Sequence, residues 1–202
     1  LFGTINPKSK MVKLSKITTL SSQQIKDLTL EPLIEKFSLE VPLNPNKSWC
    51  FVIPTGVRGG IKTNGVHFCS KCISESKPYI KKQWKLAWNV SCPIHKQLLI
   101  SKCEKCNHIF SPYKIDYLNT EIHICTNCGY DLRNSKIVKA DEDVIVFQEK
   151  LNDAIFNNNI DIAFPVVEKN IYELFITIRA LLSFFKAISK LLKHNDIFEK
   201  IE

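Results

Sequence analysis

The sequence has no unbroken apolar run of membrane length. Its most apolar stretch, 174–192, is cut by Arg179, Lys186 and Lys190, whereas a span needs roughly 20 apolar residues with few charges. The first ten residues, LFGTINPKSK, are polar and lack the apolar centre of a secretory signal. The chain begins with Leu and its only methionine is Met11, as expected of an internal piece or of a chain whose N-terminal boundary is not the natural one. No Ser/His/Asp arrangement, paired-carboxylate motif or nucleotide loop stands out, and no Walker-type lysine and hydroxyl follow Gly59-Gly60. These absences point away from membrane, exported and common hydrolytic or nucleotide-binding proteins, and toward a cytoplasmic protein that is not an enzyme. Acidic side chains are also the scarcer sign, 20 against 28 Lys+Arg, for a formal charge of +8. A basic surplus favours polyanionic partners, nucleic acid first.

The residues present include a hydrophobic fraction of 45%, enough for a packed core, and eight cysteines. Seven cysteines and one histidine fall into four pairs with two intervening residues: Cys69/Cys72, Cys92/His95, Cys103/Cys106 and Cys125/Cys128. In a chain with no export signal such pairs read as metal ligands rather than disulfides. A C-x2-C turn aims two sulfurs at one ion, and tetrahedral Zn²⁺ needs two such turns. The pairs are separated by 19, 7 and 18 residues. Gaps of about 15–20 residues suit zinc ribbons, which favours a sequential partition. Cys69, Cys72, Cys92 and His95 then form one site, and Cys103, Cys106, Cys125 and Cys128 the other. A crossed partition, joining alternate pairs, uses the same eight residues. In either case four protein ligands leave no open position, so two Zn²⁺ ions are expected in structural roles. Seven thiolates and two Zn²⁺ would reduce the formal charge to about +5. Cys50, between Trp49 and Phe51, reads as a buried apolar residue. His67 and His123, each two residues before a cysteine pair, read as flanking rather than ligating residues, and His108 and His194 carry no signal.

The expected fold class is mainly α with small β. Three regions are expected: 1–66, a helix-turn-helix-like segment with a turn-rich connector; 67–135, two tandem zinc-ribbon-like fingers; and 136–202, C-terminal helices. Helical character runs over 11–40, where Ser21 and Gln24 have capping-box spacing, Ile25, Leu28 and Leu30 form an apolar face, and Pro32 marks a break or new start. A turn near 20–22 between two short helices suits a helix-turn-helix. Proline and glycine crowd 41–66, with a short strand expected at 49–53. Helix returns at 144–156 and, after Pro165, at 167–193. There Ile171, Leu174, Phe175, Ile178, Leu181, Leu182, Phe185, Ile188 and Leu192 keep helical spacing, as a buried or partner-facing helix requires. The run Asp141, Glu142, Asp143 suits a helix start.

The order of pieces from 67 to 132 is distinctive: F-C-S-K-C-I, then Q-W-K-L-A-W-N-V, then S-C-P-I-H-K-Q-L-L, with C-E-K-C and C-T-N-C-G-Y-D-L following. This stretch resembles the TniQ/TnsD family of transposition target-selection proteins. Upstream, T-T-L-S-S-Q-Q-I-K-D-L-T-L is similar to the approach to the family's helix-turn-helix, so the resemblance covers about residues 15–135. Ser70 and Glu104 stand where the family often has proline, Lys96 stands where glycine is common, and the family's opening segment is not found. The resemblance implies a bacterial adaptor that marks an insertion site, at an attachment sequence or through a CRISPR guide complex, and recruits an AAA+ ATPase. It also implies DNA as a partner and homodimerisation in some members. Lys71, Lys77, Lys81, Lys82 and Lys85 cluster around the first finger, as phosphate contacts would or as a solvated surface would. Trp84 and Trp88 are expected to pack on the metal knuckles. The competing classes are a sequence-specific transcriptional regulator and, more distantly, a metal-dependent nuclease.

Overall fold

The computed structural model describes residues 8–39, 49, 51–58, 61–64, 66–115, 121–160 and 170–198. Three short helices open the chain: α1 (Lys8–Ile17), α2 (Ser22–Asp27) and α3 (Glu31–Phe37). The capping box forms as the sequence expects: the Gln24 amide donates to Ser21 Oγ at 3.2 Å, and the Ser21 amide donates to Gln24 Oε1 at 2.8 Å. Thr29, almost fully buried, closes the next turn by donating to the Lys26 carbonyl and accepting from the Glu31 amide. Pro32 falls in the first turn of α3, where a missing N–H costs nothing. The α1–α2 pair is helix-turn-helix-like, although α2 has only six residues. Its Gln23, Gln24 and Lys26 side chains are already bonded to Asp27, the capping box and Glu35.

The expected strand at 49–53 reduces to a single antiparallel bridge between Val52 and Leu86. Phe51 takes a left-handed φ of 63°, and the Val52 amide folds back to the Trp49 carbonyl, so the backbone turns instead of extending. Cys50 lies outside the described residues. The extended chain lies further on, where β1 (Thr55–Arg58) pairs antiparallel with β2 (Ile61–Asn64). A Gly-Gly dipeptide between two short runs is a hairpin signal, and reading 41–66 only as connector overlooked it. A second two-stranded sheet, β3 (Ser91–Cys92) with β4 (Gln97–Leu98), sits inside the cysteine-rich region. Helices α4 (Glu142–Asn157) and α5 (Ile171–Phe198) follow. Asp141 caps α4 and Glu142 and Asp143 fill its first turn, so the acidic run is a helix start.

Two apolar cores result. The helical core joins Leu30 at the N-cap of α3, Ile34 and Phe37 of α3, Leu151 and Ile155 of α4, and Leu174 and Phe175 of α5, with Trp49, Val52 and Leu86 from the connecting chain. Phe175 is its hub, with ring centroids 5.2 Å from Phe37, 5.2 Å from Phe51 and 5.0 Å from Trp88. Lys36 reaches from α3 to the Ile155 carbonyl and to Asn158, where α4 ends in a left-handed residue. The other core surrounds the cysteines. The α5 stripe divides: Leu174, Phe175 and Ile178 are buried, while Leu182 and Phe185 are 58% and 63% exposed. An apolar groove of about 590 Å³, lined by Trp88, Val144, Phe147, Leu181 and Phe185 among others, runs between α4 and α5. Among the described residues no helix is long and apolar enough to cross a membrane.

Replacing Ser21 by Ala removes half of the capping box, and about 1 kcal/mol of stability is expected to go with it. Chemical denaturation followed by helical circular dichroism measures this; an unchanged midpoint would show that α2 does not depend on its cap.

Candidate metal centres

The region 66–140 has little regular structure to hold it, and short backbone ladders fold it around two clusters. Phe68 and Ile100 exchange both backbone hydrogen bonds, at 2.9 and 2.8 Å, which places the first cysteine pair beside the strand that leaves the second pair. The turns themselves repeat. The residue after the second cysteine donates to the carbonyl of the first in three of them: Ile73 to Cys69, Asn107 to Cys103 and Gly129 to Cys125. Backbone amides also point at sulfur, from Cys72 to Cys69, from His95 to Cys92 and from His108 to Cys106, the arrangement that favours thiolates.

These ladders bring together Cys69, Cys72, Cys92 and His95 in one cluster and Cys103, Cys106, Cys125 and Cys128 in another, with all ligand atoms of each cluster within 4.8 Å of one another. This is the sequential grouping, not the crossed one. For a tetrahedral ion of zinc's dimensions, S···S edges of about 3.8 Å and S···N edges of about 3.6 Å follow from the bond lengths. In the first cluster Cys72 and Cys92 sulfurs are 3.6 Å apart, and His95 Nδ1 lies 3.4, 3.4 and 3.6 Å from Cys69, Cys72 and Cys92. In the second, the Cys103–Cys128 and Cys106–Cys125 edges are 3.7 and 3.8 Å. A disulfide would bring sulfurs to about 2.0 Å. Both sets therefore have the donors and the dimensions of closed four-ligand metal sites.

The thiols within each cluster differ in acidity. The hydrogen bond from Cys69 holds Cys92 down at about 4, and the same bond, together with burial, pushes Cys69 up. Burial raises Cys72 to about 11, against the opposing charge of Lys81. In the second cluster the His108 amide draws Cys106 down to about 6, while burial pushes Cys103 up to about 12. A bound ion would take all the thiols as thiolates and release their protons, so acidification is the natural route to metal loss.

The flanking histidines stand apart from both clusters. Burial lowers the pKa of His67, opposed by its hydrogen bond to the Asn89 carbonyl, and His123 lies 3.6 Å from Glu121. Trp84 is buried in the metal core as expected. Trp88 corrects that expectation: its ring packs on Phe37, Phe51 and Phe175 of the helical core. The five lysines do not share one setting. Lys71 and Lys77 are exposed, and Lys81 lies 5.7 Å from the centre of the Trp84 ring. Lys82 donates to the Asp27 carbonyl at 2.8 Å, tying the end of α2 to the first finger. Lys85 is 7% exposed, and burial pushes its ammonium down to about 8. The structure therefore leaves only part of this set facing solvent.

The architecture defines a class: a mainly helical protein with two tandem four-ligand clusters of metal-site geometry and a helix-turn-helix-like start. Within that class, residues 3–99 of the chain match the TniQ family model. The match takes in the N-terminal helices and the whole first cluster, and ends before the second, which is shorter at that end than the resemblance read from sequence. The TniQ family has a transposition-related role in DNA binding or target selection. No curated protein and no solved structure matches the chain.

Lys96, at the position where glycine is common, has a φ of 48°, and Asn107 and Gly129 hold the equivalent left-handed place after their cysteine pairs. A non-glycine side chain there costs about 1–2 kcal/mol, partly offset by the flexibility that glycine would add to the unfolded chain. The Lys96–Glu142 ion pair it would sacrifice is well exposed on both sides and worth little. Lys96→Gly is expected to stabilise the metal-loaded chain by about 1 kcal/mol, read from the denaturation midpoint; a loss would mean that the lysine contributes more than its backbone strain.

Proposed function

We propose that this chain is a non-catalytic target-selection adaptor of a DNA transposition system, linking target DNA or an RNA-guided complex to an AAA+ ATPase. The observation that carries the reading is the match of residues 3–99 to the TniQ family, over the segment in which Lys82 ties α2 to the first knuckle pair. The metal proposed for both clusters is Zn²⁺, bound by Cys69, Cys72, Cys92 and His95 and by Cys103, Cys106, Cys125 and Cys128. Zinc favours a tetrahedral thiolate and imidazole set, and with four protein ligands it supplies folding energy rather than an activated water. Function then lies in surfaces that the zinc knuckles hold in place, and recruitment makes and breaks no bonds. A homodimer remains part of this proposal.

Lys71 and Lys77 are the members of the lysine set best placed to meet phosphate, with Lys10, Lys13 and Lys16 exposed on α1. Each phosphate contact on duplex DNA contributes about 0.9 to the slope of log affinity against log salt. Lys71→Ala with Lys77→Ala is therefore expected to weaken binding to all duplexes alike and flatten that slope by roughly 1–2. An unchanged slope would remove these lysines from the interface.

The basic α1 beside α2 also allows a second reading, a regulator that recognises an operator unaided. A pull-down of the AAA+ ATPase encoded with this chain, with ATP and short duplex DNA, separates the two. The adaptor reading expects retention, lost when zinc is stripped or in Cys92→Ala. Absence of retention, with tight binding to one DNA sequence at physiological salt, would favour the regulator.

A further inference from the structure

The hairpin that carries Cys92 and His95 has only two residues in each strand, too little to hold a ligand pair in place by itself. One edge of β3 pairs with β4. On its other side lies α4, and there a side chain takes the place of a strand. Gln148 Oε1 accepts from the Val90 amide at 2.9 Å, the Ser91 amide at 2.9 Å and Ser91 Oγ at 3.0 Å, while its Nε2 donates to the Ser91 carbonyl at 3.0 Å. A glutamine side chain presents C=O and N–H as a peptide group does, so Gln148 serves as a one-residue third strand. The site is dry: Gln148 is 2% exposed and Ser91 0%, so water has little room to replace these bonds.

One turn later on the same face of α4, Asn152 repeats the device. Its Oδ1 accepts from Trp88 Nε1 at 2.9 Å and from Asn89 Nδ2 at 3.1 Å, and its Nδ2 donates to Asn89 Oδ1 at 2.9 Å. The segment leading into α4 adds to β4 as well, with Leu98 donating to Val138 and Ala140 donating to Lys96. Among the described residues, the hydrogen bonds that shape the second cluster are of another kind. They run from Cys103 to His108, from Phe110 to Ser101, from Cys125 to Tyr130 and from Lys136 to Glu104, all within 101–136.

We infer that Gln148 and Asn152 are positioning residues for the first metal cluster, holding the 88–91 segment so that Cys92 and His95 present their ligand atoms, whereas the second cluster assembles without α4. Metal retention at the first cluster thus depends on a helix outside the finger, and loss of that metal loosens the joint between finger and helices. The inference rests on the metal reading of the clusters and goes beyond it by coupling one site, and not the other, to α4.

The test uses the full chain loaded with Co²⁺, whose absorption differs between three-sulfur-one-nitrogen and four-sulfur coordination, so that one sample reports on both sites. Gln148→Met fills the same volume without the hydrogen bonds, and Asn152→Leu is the milder second variant should the first fail to fold. Under chelator competition, Gln148→Met is expected to weaken retention at the first cluster about 10–100-fold, the range found when partners of metal ligands are removed, and to leave the second cluster unchanged. Asn152→Leu should shift the same site by less. Equal weakening of both clusters, or no change at either, would overturn the inference. A wild-type chain that takes up no Co²⁺ would overturn the metal reading itself, and the coupling with it.

Discussion

Four ligand atoms meeting at tetrahedral distances are the constraint on which the middle of this protein depends. Among the described residues between Val66 and Ala140 the regular elements are two-residue strands and single turns of 3-10 helix, and such pieces are not stable alone. The core around the clusters includes the cysteines themselves, with Phe68, Ile73, Trp84 and Leu132 packed about them. Phe68 and Phe110, with ring centroids 4.6 Å apart, join the surroundings of one cluster to those of the other. Remove the ligand geometry and these side chains have no reason to converge, because the ladders that support them are too short to impose an order.

The helical body has a different logic. Its helices are also short, apart from α4 and α5, yet they share an ordinary apolar core centred on Phe175. The chain from Trp84 to Ser91 stitches the two bodies together by alternation. Trp84 enters the core around the clusters, Leu86 and Trp88 enter the helical core, and Asn89 and Ser91 bond to Asn152 and Gln148 of α4. The N-terminal helices, the first finger and α4 are therefore not independent modules here, since the end of α2 is tied to the first finger and α4 to its second knuckle.

Much of this was legible from residue order. The ligand pairs announce themselves because metal coordination fixes residue type and spacing locally, and the Ser21 box and the Asp141 cap are also set within a few residues. What could not be read depends on contacts between distant segments. Nothing near Lys85 marks it as buried while Lys71 is exposed, and nothing near Trp88 sends its ring away from the knuckles. Gln148 left a faint trace, a polar residue in line with Ile145, Leu151 and Ile155 on a buried helix face, where an amide is tolerated only if bonded. The strand expected at 49–53 failed for a local reason, the left-handed turn at Phe51, that apolar patterning does not report.

The seven residues between His95 and Cys103 do more than connect the two clusters. Gln97 pairs with Cys92 on one side and Lys139 on the other, its amide donates to Ser70, Ile100 pairs with Phe68, and Lys102 pairs with Ile109. Inserting a single residue here would reverse which side chains point inward and break several pairings at once. The interval between the clusters is thus a fixed rung of the scaffold, and relatives with this architecture should vary in length almost anywhere else before they vary here.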